Sequence, residues 1–467
     1  MPDPKQVIVI GAGISGLACA YRLQKLGARA TLLESSAHPG GVIRSERDAG
    51  FLFEYGPQSF QGTAAVLELV PELGVEQQLQ TANPRAPRYV LKHGRLEQIP
   101  MSPQALLASR FLGARSRWKI ATEAFRRTAP PSQEESVAAF VRRKFGHEIL
   151  EYLVSPFVSG VYAGDPEQLS LKAAFPTLDE WERQYGSVVR GAIKSKSKSA
   201  KSPEQKSNAA PPLCSFADGV ATLPRTLAAK LADNLHTETT VVSIDLSHNQ
   251  KTVHATHNGT AETYSADAIV IATPAYVASH LIRDASANLA DVLSGIAYAP
   301  VAVVCAGYRQ QQIGNPLEGF GFLVPRSENV RTLGTVWNSS LFPSRASENS
   351  ALVTSFIGGS TDLEIIHHSE SEIANIVHAD NARILDIAAD PLVTRVSKYE
   401  KALPQYNLGH GYIVESIRAA ERATPGLFFA GNYLEGPSLG KCLENGFATA
   451  DSVFSSLSKF SVLSFSG

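Results

Sequence analysis

Apolar positions along the chain fall into short runs divided by glycine, proline and polar clusters, and their spacing predicts a mixed α/β protein. Residues 7–10 (VIVI) form a continuous apolar run of strand length, the pattern of a strand covered on both faces. A helical periodicity runs from Leu17 to about Leu26 and stops at Gly27. A second short strand, 30–33, closes this unit. Residues 241–246 and 268–272 are expected to be returning strands of the same domain. Helical spacing dominates 103–190. Residues 296–360 are strand-rich, with runs at 301–307, 320–324, 335–337 and 351–358, which predicts a second, larger sheet. Near the end, 425–432 (PGLFFAGN) reads as a turn, a buried strand and a glycine, with a helix at 447–457. Residues 194–212 are basic, of low complexity and free of large apolar groups, and are expected to form a surface loop.

Composition narrows the class. The chain has 467 residues, enough for two or three domains, and 44% hydrophobic against 19% charged residues reads as globular. A net charge of −1 gives no reason to expect nucleic acid as a partner. The four cysteines, Cys19, Cys214, Cys305 and Cys442, are scattered without a CxxC pair, so neither a zinc site nor a disulfide framework is expected, and Cys19 and Cys305 read as packing residues. Residues 1–6 are polar, so no targeting segment is expected ahead of the first strand. The longest apolar runs are too short to span a bilayer. Arg115 to Lys119 (RSRWK) and Phe125-Arg126-Arg127 mix bases with aromatics, which suits either a membrane-surface helix or a solvated basic face.

Candidate chemistry begins directly after the first strand. Gly11-Ala12-Gly13-Ile14-Ser15-Gly16 is a GxGxxG turn leading into a helix. Gly11 permits the tight turn, Gly13 lets a pyrophosphate approach the backbone, and Gly16 allows the helix to lie close to the strand. The helix N-terminus offers free N–H groups to phosphates. Glu34 ends the second strand, where a carboxylate can bind a ribose diol. Past it, Gly40-Gly41 allows a second close backbone approach, and Arg44 can reach a pyrophosphate. Gly56-Pro57-Gln58-Ser59 fixes a turn with little side chain, suited to lie against a flat ring. Gly431, Asn432, Gly436, Ser438, Leu439, Gly440 and Gly446 suggest another backbone cradle. Both chain ends therefore serve one dinucleotide-binding domain, with other domains inserted between. No GxSxG or HExxH occurs, and His367 and His368 read as exposed rather than as metal ligands.

These motifs together resemble the FAD-dependent protoporphyrinogen oxidase family, within the amine-oxidase-like flavoproteins. The ExxxxxGGxxRS stretch from Glu34 is similar to that superfamily's extended fingerprint. More specific are the segments at 145–170, 185–193 (YGSVVRGAI), 317–325 (LEGFGFLVP), 333–346, 355–360 (SFIGGS) and 430–446 (AGNYLEGPSLGKCLENG). The resemblance implies a Rossmann-type FAD-binding domain (1–76, 213–273, 406–467). It also implies a mixed-sheet substrate domain (77–88, 190–212, 274–405) and a helical, membrane-associating domain (89–189). It implies that FAD is held by Gly11, Gly13, Ile14, Ser15, Gly16, Glu34, Gly41, Arg44, Gly56, Pro57, Gln58, Ser59, Val242, Gly431, Asn432, Ser438 and Leu439. For substrate it implies Arg88 on a propionate, Phe356 stacked on a pyrrole, Leu323 and Val336 around another ring, and the Gly160 carbonyl facing the macrocycle. From pattern alone, Leu323, Val336 and Phe356 would be strand core and Gly160 a loop glycine. The chain departs from the family at Val336, where leucine is usual, at Gln58, and at Asp218, which replaces the first glycine of an FxGG turn.

The activity so implied is oxidation of protoporphyrinogen IX to protoporphyrin IX, in heme or chlorophyll biosynthesis, with oxygen as acceptor and hydrogen peroxide as by-product. No protein base is obligatory for it, and no metal is expected. Oxidation of coproporphyrinogen III is the nearest alternative; a flavin amine oxidase or a non-catalytic FAD- and porphyrin-binding scaffold stands further off. A cytoplasmic location is expected, with peripheral contact at the inner face of the cell membrane. A second copy or a ferrochelatase-type protein is the partner expected, and sensitivity to diphenyl-ether herbicides follows from the same resemblance.

Overall fold

A computed structural model of the protein describes residues 5–126, 131–199, 211–248 and 250–463. Arg127 and most of the expected loop at 194–212 lie outside the described residues; within that stretch, 194–199 end the helix Val188–Ser199. The first strand is Gln6–Ile10 and the helix after it Ile14–Lys25. Five strands run parallel in the order Leu235–His236, Arg29–Leu33, Gln6–Ile10, Ala268–Ile271, Leu427–Phe429. The apolar run at 7–10 is explained by this placement. Val7 and Val9 enter one core with Leu17 and Ala18, while Ile8 and Ile10 enter another with Ile269 and Ile271. Burying each such side chain contributes about 1.5–3 kcal/mol.

The chain termini meet here. The long helix Leu439–Leu463 packs along Ile14–Lys25 so closely that a Cβ on Gly446 would stand 2.4 Å from the Ser15 carbonyl oxygen. Gly440 and Gly446 lie inside this helix and serve packing, not a loop cradle as their spacing suggested. Of the two expected returning strands, only Ala268–Ile271 joins the parallel sheet. Thr239–Asp245 heads a separate antiparallel meander with Lys251–His257 and Thr260–Ala266, and a bulge falls at Val242.

The second sheet has seven strands, ordered Val393–Pro404, Tyr298–Arg309, Ser350–Gly358, Thr332–Val336, Gly321–Leu323, Arg88–Lys92, Arg95–Gln98. The helical segment assigned from residue 89 therefore opens with a hairpin of this sheet, and helices start at Pro103–Ala108. Val188–Ser199 packs on the helix Pro176–Tyr185, so the start of the stretch assigned to the substrate domain at 190–212 lies with the helices. Within the helical region a buried charge cluster ties four segments together. Lys144 bridges to Glu123 at 3.6 Å and Glu182 at 2.6 Å, while Glu123 accepts from the backbone N–H groups of Val188 and Val189. Among the described residues no helix is long and apolar enough to cross a membrane.

Candidate active site

The glycine-rich turn has the shape its sequence called for. Gly11 sits at φ +101°, where side chains are strained, and a Cβ on Gly16 would stand 1.9 Å from the Gly11 carbonyl oxygen. Gly13 is different: nothing lies within 4 Å of where its Cβ would be. That open space sits at the start of the helix Ile14–Lys25, whose N-terminus no side chain caps. The Gly40-Gly41 turn lies against it, with the Gly40 N–H donating to the Ala12 carbonyl at 2.8 Å and a Gly41 Cβ 3.5 Å from the Gly13 Cα. Uncapped N–H groups, the helix dipole and two side-chain-free turns suit a pyrophosphate. Glu34 follows the strand Arg29–Leu33 and accepts the Ala12 N–H at 2.7 Å and the Ser36 N–H at 2.9 Å. The residues present thus fit a dinucleotide cofactor.

The remaining cofactor candidates are placed unevenly. Ile14, Ser15 and Leu439 are buried, Ser438 is exposed, and Gly56, Pro57 and Ser59 are half-buried. A Cβ on Gly56 would stand 2.2 Å from the Val42 carbonyl oxygen, so only glycine fits there. Gln58 is buried and its amide is engaged within the protein. Its Nε2 donates to the carbonyls of Glu54 and Gly56, and its Oε1 accepts from Asn338 Nδ2 at 2.7 Å. Its side chain therefore shapes the Gly56-Pro57 turn. Arg44 is exposed, lies over the Tyr55 ring and pairs with Glu46 at 3.2 Å. Val242, at the bulge, is 60% exposed. Asp218, the departure in the FxGG turn, is exposed beside Arg47; the second glycine, Gly219, is the tight one, because its Cβ would meet Ser45 Oγ at 2.3 Å.

The substrate candidates converge through strand register. Leu323 is paired with Gly334, and Gly334 with Phe356. Two residues along, Arg88 is paired with Gly321, and Gly321 with Val336. Paired residues share a face, as do residues two apart, so Arg88, Leu323, Val336 and Phe356 all project from one side of the seven-stranded sheet. Gly334 stands between Leu323 and Phe356 without a side chain. Gly160 comes from the helix Ser155–Tyr162 and lies over this face, with Leu323 Cδ2 2.5 Å from where its Cβ would be. Phe157 and Val161, on the same side of that helix, are 43% and 45% exposed. Arg88 is exposed, its guanidinium rests over the Phe320 ring at 5.2 Å, and that guanidinium has no hydrogen bond or ion pair among the described residues. The opposite face of the sheet is braced by Thr335, Ser355 and Asn381, whose side chains bond one another in a buried triangle.

One buried pair was not visible in the sequence. Glu54 and Arg345 are both almost fully buried and meet at 2.8 Å. Glu54 also accepts from Ser45 Oγ and the Val220 N–H, and Arg345 donates to Ser215 Oγ. Burial pushes the Glu54 carboxyl up to about 7 despite the opposing pull of Arg345. No local pattern announces such a pair, since its members lie far apart in the chain. Among the described residues no group of His, Cys, Asp or Glu is arranged to hold a metal ion. His367 is exposed, and His368 lies beside Arg331 and Glu372. All four cysteines are free and buried.

The family model for flavin containing amine oxidoreductase matches residues 14–454. The protoporphyrinogen oxidase of rice chloroplasts is 37% identical, over 97% of this chain and 89% of the relative. The coproporphyrinogen III oxidase of Staphylococcus aureus is 28% identical, over 97% of this chain and all of the relative. The crystal structure of a provisionally named protoporphyrinogen oxidase from Exiguobacterium aligns with TM-score 0.80 at 23% identity, over 97% of this chain and 99% of that one, a likeness of fold.

Proposed function

The chain belongs to the flavin-containing amine oxidoreductase family, within it to the protoporphyrinogen oxidases, and from that premise we propose that it oxidises protoporphyrinogen IX to protoporphyrin IX using FAD. Oxygen is the electron acceptor in this reading and hydrogen peroxide the by-product. The observation that carries it is the single sheet face presenting Arg88, Leu323, Val336 and Phe356 beneath Gly160. A flavin, when bound, supplies the hydride acceptor and returns electrons to oxygen. The chain's own residues bind and orient. Leu323, Val336 and Phe356 offer an apolar, partly aromatic wall to the pyrrole rings of an apolar macrocycle, and Gly334 leaves room between them. Arg88 holds a propionate with a planar guanidinium whose N–H groups bond to no other described residue. Holding the ring system in one pose supplies catalysis through orientation, and an apolar wall keeps water from the reacting carbon.

Coproporphyrinogen III is the second reading, because a relative named for its oxidation matches 97% of this chain. A tetracarboxylate favours several cations at the binding face, whereas the residues beside Arg88 on this one are aliphatic, aromatic or glycine. Peripheral membrane contact completes the proposal. Met101, Trp118, Phe125 and Ile193 of the helical region are all more than half exposed, which suits a surface that receives an apolar substrate from a bilayer.

Side-by-side oxidation of the two porphyrinogens, followed by porphyrin fluorescence, tests the reading. The expected result is a higher kcat/KM for protoporphyrinogen IX. Arg88→Ala is expected to raise KM about tenfold with kcat nearly unchanged, the signature of lost uniform binding. A preference for coproporphyrinogen III would transfer the protein to the second reading. Oxidation of neither by the flavin-loaded protein would remove both.

A further inference from the structure

A second group of buried side chains gathers around the loop that follows the strand Leu427–Phe429. Three consecutive residues of that loop each have a backbone polar group bound by a side chain from another segment. The Gly431 N–H donates to Asn445 Oδ1 at 2.9 Å. The Tyr406 hydroxyl donates to the Asn432 carbonyl, and the same hydroxyl has the Gly436 backbone as a hydrogen-bonding neighbour. His410 Nε2 lies 2.9 Å from the Tyr433 carbonyl oxygen. A carbonyl can only accept, so Nε2 carries the proton. Burial lowers the His410 pKa, in keeping with a neutral ring. Tyr406 and His410 also touch ring to ring, with centroids 4.4 Å apart.

Tyr406 follows the strand Val393–Pro404, His410 opens the helix His410–Ala423, and Asn445 sits in Leu439–Leu463. Their relative exposures are 2%, 3% and 1%. Packing alone does not favour this choice of residues. His410 Nδ1 and Asn445 Nδ2 are buried without partners among the described residues, an expense that apolar side chains of similar size would avoid. What the three side chains achieve together is a fixed backbone at 431–433. The peptide N–H groups of Asn432 and Tyr433 bond to no described residue; Tyr433 is fully buried, whereas Asn432 is half-exposed, so its N–H is the one within reach of a bound group. We propose that Tyr406, His410 and Asn445 are positioning residues that lock this loop so that the Asn432 N–H is presented in one orientation to the bound flavin. The inference rests on the reading above, in which Gly431 and Asn432 face the cofactor. Gly431 is already held at φ +150°, with the Tyr433 ring 2.9 Å from where a Cβ would be, so the loop has little freedom left to adjust.

The test compares His410→Leu, Asn445→Leu and Tyr406→Phe with the conservative His410→Gln, whose amide can still donate to the Tyr433 carbonyl. FAD affinity is measured by flavin fluorescence on titrating stripped protein, alongside visible circular dichroism of the bound flavin and thermal unfolding without flavin. The expected result is an FAD affinity about tenfold weaker in the first three, with an altered flavin dichroism band. Flavin-free melting should change little in Tyr406→Phe, and His410→Gln should restore most of the affinity. Unaltered affinity and dichroism in the folded variants overturn the proposal. If the leucine variants do not fold, Tyr406→Phe decides, since it removes a single oxygen atom; its failure to fold would assign the cluster to stability and overturn the proposal too. Absence of bound flavin from the unaltered protein is a separate outcome, which removes the cofactor reading itself.

Discussion

Gly13 and Gly16 separate two reasons for a glycine within one motif. A Cβ at Gly16 would collide with the Gly11 carbonyl oxygen at 1.9 Å, whereas at Gly13 it would meet nothing within 4 Å. Gly13 also has ordinary extended dihedrals, φ −66° and ψ 173°, that any residue adopts. Gly13→Ala should therefore leave flavin-free stability within about 0.5 kcal/mol while weakening FAD at least tenfold, because the methyl enters the space a phosphate would fill. Gly16→Ala should cost about 1–3 kcal/mol or more of stability, since the clashing partner is backbone and cannot swing aside. Urea unfolding of both proteins without flavin, and FAD titration of each, checks the pair. This much was legible in the sequence, because each fingerprint residue acts through its immediate neighbours. Gln58 was not: its role is fixed by Asn338, 280 positions away, and only the fold brings that partner to it.

Elements were legible where both faces are buried and obscure where one face is wet. The apolar runs at 7–10 and 301–307 became strands, but Val393–Pro404, almost entirely half-buried or exposed, carries Arg, Lys and Glu and gave no apolar run to find. The hairpin Arg88–Lys92 to Arg95–Gln98 turns at His93 and Gly94, with φ +53° and +74°. Such a primed turn is signalled far more plainly by Asn-Gly than by His-Gly, so the sequence carries little local sign of this hairpin. The site residues followed the same logic. Leu323, Val336 and Phe356 look like core one at a time, and only register puts them on one face with Arg88. The buried Glu54–Arg345 pair offers the test at this scale. Arg345→Met strands the buried Glu54 and should cost about 3–5 kcal/mol, with Glu54→Gln added to it recovering part of the loss. A pH signature accompanies it. The Glu54 carboxyl is raised in the folded protein, so its contribution to stability is complete below its ordinary value near 4.5 and is lost as pH rises through about 7. Unfolding at pH 5.5 and 8 should show that loss in the unaltered protein and a smaller one in Glu54→Gln; equal losses would contradict the assignment.

At the scale of the whole molecule, the flavin-binding unit cannot close until the last part of the chain has been made. The strand Leu427–Phe429 completes the parallel sheet beside Ala268–Ile271, and Leu443, Ala450, Val453 and Leu457 of the final helix share one core with Val7, Val9, Leu17 and Leu23. The seven-stranded sheet with its proposed substrate face is inserted into that unit, between segments that also supply the strands Leu235–His236 and Ala268–Ile271. The cofactor cradle and the proposed substrate face are therefore coupled through continuous chain, by segments that leave the first domain and return to it. A protein ending at residue 425 would lack one sheet strand and expose the seam where Gly446 rests on the Ser15 carbonyl. It should fail to retain flavin and should lose the cooperative thermal transition of the full chain, even though the GxGxxG turn, Glu34 and Arg44 are all present. Adding a separate chain of residues 426–467 should restore flavin binding in part if the inserted domains have folded by themselves. Flavin fluorescence and circular dichroism melts of the two preparations read this directly. A truncated chain that kept flavin and a sharp transition would mean that the N-terminal fingerprint suffices, and that the C-terminal helix covers the site without helping to build it.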